Sequence, residues 1–141
     1  MKKQLITSIA MAFMLLASSL VFAGDMKKVV IQVSTNDPVT QKIALNNAVN
    51  IQKALGVDNV AIEIVAYGPG LGLLTAEGDQ SKRVASLAVQ GITMSACGNT
   101  IKKVAKKTGK EPKLTDGVGV VPGGVIRIME LQEDGYSYIR P

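Results

Sequence analysis

The 141-residue chain contains no histidine and no tryptophan, one cysteine, and five aromatic side chains in all. Without histidine there is no Cys–His pair and no imidazole base. A lone cysteine excludes an internal disulfide. It also leaves metal binding poorly supported, because zinc sites draw on several Cys or His ligands. No metal and no cofactor is therefore expected. Beyond residue 23 the aromatics are Tyr67, Tyr136 and Tyr138, too few for a platform that stacks single-stranded nucleic acid. Charge is sparse as well. The formal net charge is +5; without Lys2 and Lys3 the 16 basic side chains become 14 against 11 acidic ones, a net of +3. That mild excess gives no indication of nucleic acid. Uninterrupted apolar runs are short too. The stretch Ile9 to Ala17 falls well below the roughly 20 residues of a spanning helix.

What the amino terminus does have is a processing pattern. Lys2 and Lys3 precede a mostly apolar run from Leu5 to Phe22, and Val21-Phe22-Ala23 ends on a small residue. This predicts a secretory signal peptide, residues 1–23, cleaved after Ala23. The expected location is periplasmic, with no membrane attachment after cleavage. Residues 24–141 then form one domain of 118 residues, a length that supports its own core.

Along this domain strands alternate with helices. Val29–Val33, Val60–Ala66, Ile92–Ala96 and Val118–Val121 are short apolar or β-branched runs, and Tyr136–Ile139 is a closing strand. Helical spacing joins Ala44, Leu45, Ala48, Val49, Ile51 and Leu55, with Asp37-Pro38 as the starting signal and Gly56 as the stop. Asp79 or Ser81 opens a second helix. A third, after Cys97, carries Ile101, Val104, Ala105 and Thr108 on one side and stops at Gly109, and Pro122 is expected to start the last. Strands apolar on both faces indicate a parallel sheet covered on each side. The fold class is α/β: a three-layer α/β/α domain with a mostly parallel sheet of about five strands. A wide apolar arc on the last helix (Val125, Ile126, Ile128, Met129, Leu131) and the tyrosines of the last strand exceed what one sheet face needs. They point to a homo-oligomer.

Cys97 stands between a strand and a helix, where the helix dipole favours thiolate over thiol. In open α/β sheets the carboxyl edge of the strands is also where ligands bind. Cys97 is the candidate catalytic residue. The candidate substrate-binding set is Gly98, Asn99 and Thr100 after it, Tyr67 and Gly68 after the second strand, Asn36 after the first, and Lys102 on the third helix. Asn99 or Thr100 would cap that helix. The glycine-rich turn Gly68–Gly72 does not fit G-x-G-x-x-G and follows the wrong strand for a dinucleotide cradle. It reads as a tight turn bringing backbone to the Cys97 loop. The inert alternative for Cys97 is a small buried hydrophobe. Asn46, Asn47 and Asn50 have no account at this level.

Three segments carry a family resemblance: Val65-Ala66-Tyr67-Gly68, Ala96-Cys97-Gly98-Asn99-Thr100, and the carboxyl-terminal stretch Glu130 to Pro141. In their order and spacing the chain resembles the DsrE/DsrF-like family of sulfur-handling proteins, in an exported branch. The resemblance implies a doubly wound parallel sheet, oligomer formation, and a cysteine, here Cys97, that carries sulfur as a persulfide. Partners would be a small sulfur compound or a sulfur donor or acceptor protein. The well-understood members are cytoplasmic relay subunits, so an exported relative would use other donors and acceptors. The alternative function is a non-catalytic oligomeric module that binds small anionic sulfur compounds or a protein partner.

Overall fold

The computed structural model describes residues 26–141. The expected signal peptide lies outside the described residues. Five strands form one sheet: β1 (Lys27–Val33), β2 (Val60–Ala66), β3 (Thr93–Cys97), β4 (Val118–Val121) and β5 (Ser137–Ile139). All neighbours are parallel, in the order β4-β3-β2-β1-β5. Between them run α1 (Pro38–Leu55), α2 (Ser81–Val89), α3 (Gly98–Thr108) and α4 (Gly124–Glu133). Among the described residues no helix is long and apolar enough to cross a membrane.

Local chemistry sets several of these boundaries. Asp37 caps α1, its carboxylate accepting the Thr40 N–H at 2.7 Å, and Pro38 follows at the first helical position. Gly109 ends α3 in a left-handed conformation that L side chains avoid. Ser81 rather than Asp79 begins α2, which has no side-chain cap. Pro122 does not start α4. Its carbonyl accepts the Asn99 N–H at 3.2 Å, so it stays in the connection while Gly123 occupies the cap position.

The two faces of the sheet differ. On the first, Val29, Ile31 and Val33 align with Ile62, Ile64 and Ala66. There they join Ala44, Leu45, Val84, Leu87 and Ile101 of α1, α2 and α3 in the main core. On the second, α4 alone packs down, setting Ile128 and Leu131 against Val30 and Val65. The expectation of strands apolar on both faces holds in full for the first and in part for the second. The second face also buries Gln32, Glu63 and Ser95. A single helix cannot seal five strands, and polar side chains there are hydrogen-bonded instead. Ile128 is therefore core, at 6% exposure, and not part of a surplus arc. The apolar residues that α4 leaves exposed are Val125, Ile126 and Met129.

Candidate functional site

In a parallel sheet every strand ends at the same edge, so the segments after β2, β3 and β4 meet there. The register makes this concrete: Ala66 lies beside Ala96, and Cys97 beside Val121. Cys97 is both the last residue of β3 and the cap residue of α3. It takes the position assigned to Asn99 or Thr100, which instead sit inside the first turn. The reason is geometric. Its backbone is still extended (φ −72°, ψ 116°), while Gly98 has already entered the helix. Gly98 suits that point because a side chain there would press on the Val121 carbonyl, 3.1 Å from its Cβ position.

The buried thiol faces a second helix start. The Gly124 N–H, first in α4, donates to Cys97 Sγ at 3.2 Å. Two helix amino termini thus converge on one sulfur, and both dipoles favour negative charge. Burial pushes the thiol pKa up. The Thr100 hydroxyl, the Gly124 N–H and the backbone N–H groups of Thr100 and Asn99 pull it down, and together they win: Cys97 lies below the ordinary thiol value.

Thr100 is held for this task. Its Oγ1 accepts the Gly68 N–H at 2.9 Å, which leaves the hydroxyl proton to donate to sulfur. Tyr67 is half-buried. Its ring lies where a side chain at position 124 would be, with Tyr67 Cβ and Cδ1 each 3.0 Å from a Cβ built there. Only glycine lets the start of α4 pass under the tyrosine.

The structure therefore brings Cys97, Gly98, Asn99, Thr100, Tyr67 and Gly68 together, and leaves two predicted residues apart. Asn36 is exposed in the loop after β1 and takes no part in the hydrogen bonds around the thiol. Lys102 is exposed on α3 and lines a cavity of about 230 Å³ with Gly98, Ile101, Glu111, Pro112, Leu114 and Val120, which Cys97 does not border. The glycine turn also differs from expectation. Gly68 does approach the Cys97 loop, but Gly70 packs on β1, where a Cβ would fall 2.2 Å from the Val33 carbonyl oxygen.

Gly124 was missed from the sequence. Its one signal was the run Pro122-Gly123-Gly124 directly after a strand, at the edge where Cys97 also emerges. Asn46 gains an explanation: its side chain accepts a hydrogen bond from Arg83 at 2.7 Å, tying α1 to α2. Among the described residues no group of three His, Cys, Asp or Glu side chains is arranged to hold a metal ion.

A parallel five-stranded α/β fold with a thiolate-favouring cysteine at its carboxyl edge defines a general class. Residues 27–141 match the model of the DsrE/DsrF-like family, and the chain belongs to that family. Among solved structures it is similar to MTH1491 from Methanobacterium thermoautotrophicum, a protein of unknown function, at 32% identity and a TM-score of 0.74. That similarity covers 82% of this chain and 99% of the other. No curated protein matches. Membership of the family suggests a sulfur-relay-like role.

Proposed function

We propose that this protein carries sulfur as a persulfide on Cys97, acting as a sulfurtransferase or persulfide carrier. The observation that carries the reading is the Gly124 N–H, first in α4, donating to the buried sulfur of the residue that occupies the cap position of α3. A persulfide is more acidic than a thiol and stays anionic, so the same donors would hold the loaded form. In the loading step the Cys97 thiolate attacks the outer, sulfane sulfur of a polysulfide or persulfide donor. A new S–S bond forms as the donor's S–S bond breaks, and the donor departs with the bonding electron pair, a persulfide as a thiolate and a polysulfide as a chain one sulfur shorter. No external oxidant is required.

The chain is further proposed to be exported, with residues 1–23 as a cleaved signal peptide, and to work in the periplasm as a homo-oligomer. The exposed Val125, Ile126 and Met129 on α4 support the last point. A second reading, non-covalent binding of a small sulfur oxyanion, draws on the same converging N–H groups, which favour any anion.

Intact-mass measurement without reductant, after incubation with polysulfide, separates the two. The carrier gains one sulfur atom, lost on treatment with a thiol reductant and absent from Cys97→Ser. An unchanged mass in a protein whose thiol still alkylates would sink the carrier reading.

A further inference from the structure

Glu63 is the one acidic residue in an otherwise apolar β2, and it is only 3% exposed. Its carboxylate is fully engaged. Ser95 Oγ donates to Oε1 at 2.7 Å, Arg127 Nε to the same oxygen at 2.9 Å, and Arg127 Nη2 to Oε2 at 2.8 Å. The two-pronged arginine contact fixes orientation as well as distance. Arg127 lies one turn into α4, three residues after Gly124, and its backbone N–H closes that turn on the Gly123 carbonyl at 2.9 Å.

The Asn99 N–H on the Pro122 carbonyl and the Tyr67 ring over Gly124 also meet this end of the helix, but no other side chain of α4 itself anchors it. Gly123 offers no side-chain cap, and Val125 and Ile126 face outward. The apolar anchors Ile128 and Leu131 sit further along. A buried ion pair is a poor way to gain stability alone, since apolar pairs of similar volume do as well or better. Its specific effect here is geometric.

We propose that the buried Glu63–Arg127 pair, braced by Ser95, is a positioning device that holds the first turn of α4 against Cys97, so that the Gly124 N–H reaches the sulfur. Glu63 and Arg127 are then positioning residues and touch no reacting atom. The proposal rests on Cys97 as the working thiol. Its readout, the thiolate fraction, exists whether or not sulfur is ever carried, so the two readings fail separately.

Other charges near the pair are few. Among the described residues the pair has one further ionic contact, Glu130 on α4, 3.6 Å from Arg127 Nη1. A direct charge effect on the sulfur and a positional effect make opposite predictions for Glu63. Removing a nearby anion would favour the thiolate. Releasing α4 would disfavour it.

The test is titration of the thiolate ultraviolet absorbance of Cys97 in the full chain and in Glu63→Leu, Arg127→Met and Ser95→Ala. Circular dichroism checks that each is folded. Positioning predicts a lower thiolate fraction in both Glu63→Leu and Arg127→Met, by roughly threefold below the midpoint, the size of a helix-terminus interaction. A higher fraction in Glu63→Leu, or no change in either variant, overturns the proposal. Should either variant fail to fold, Ser95→Ala decides: it removes one hydrogen bond and no charge. A reduced thiolate fraction there supports the device, and a wild-type titration overturns it.

Discussion

At the scale of single residues, Thr100 links two loops through one oxygen. It accepts from the Gly68 N–H, and the same hydroxyl draws the Cys97 pKa down, so the turn after β2 and the thiol after β3 are coupled. Thr100→Val should act in two ways. It removes the largest of the effects that lower the Cys97 pKa, so the thiolate fraction at slightly acid pH should fall, read as slower alkylation by iodoacetamide. It also strands the Gly68 N–H, a loss of about 1–3 kcal/mol if no water replaces the hydroxyl. Urea denaturation measures that part. The pH dependence has a defined sign. Because the folded-state thiol pKa is depressed, the thiolate contributes stability that is fully present above the unfolded thiol value, about 8.5. That contribution is lost as pH falls through the lower folded-state value. The stability gap between wild type and Thr100→Val should therefore narrow on acidification. A gap that stays constant with pH would mean that Thr100 acts only on Gly68.

At the scale of elements, the start of α4 is the most constrained feature of the site. Gly124 donates to sulfur from beneath the Tyr67 ring, and an added methyl would meet that ring at 3.0 Å. Either the tyrosine or the helix must move. Gly124→Ala should cost about 1–3 kcal/mol by overpacking, measured by denaturant unfolding. It should also weaken the N–H to Sγ contact and lower the thiolate fraction. Tyr67→Ala in the same background opens the space and should return the helix to its place. Recovery of the thiolate in the double variant tests whether the Tyr67–Gly124 clash is the cause. Its absence would locate the defect elsewhere in α4. Glycine was expected to matter in the turn after β2, and there it does. That it matters equally at the start of α4 follows only from the packing.

At the scale of the whole molecule, the sheet is unevenly dressed. Three helices cover one face and one covers the other, leaving Val125, Ile126, Met129 and Tyr138 exposed on the side of the single helix. Tyr138 keeps its hydroxyl engaged, donating to Gln32 at 2.7 Å. If a second copy covers this side, Ile126→Lys and Met129→Lys, at positions 58% and 52% exposed, should dissociate the assembly without unfolding the subunit. Light scattering and thermal melting together read both. Lys103→Glu, on the polar side of α3, should leave the oligomer intact. Ile128→Lys is unsuitable as a probe, because it would place a charge in the core and unfold the chain. A wild-type monomer at tens of micromolar removes the oligomer from the proposal.

The sequence by itself determined the class of fold. Alternating runs at strand and helix spacing, the Asp37-Pro38 start and the glycine stops predicted a parallel α/β sheet of about five strands, and the sheet found has five. It also marked Cys97 at a strand's end, since strand-to-helix transitions are local events written in local residues. The partners of that thiol were another matter. Gly124 lies 27 positions away from Cys97, and Arg127 lies 64 from Glu63. Such pairs meet only after β4 docks beside β3 and α4 crosses to the opposite face. Nor could periodicity tell that Ile128 is core while Ile126 is bare, because both lie on one apolar arc. Which part of the arc meets the sheet is decided by where the ion pair of Arg127 and the ring of Tyr67 set the helix down. That is a property of tertiary packing, and no local pattern encodes it.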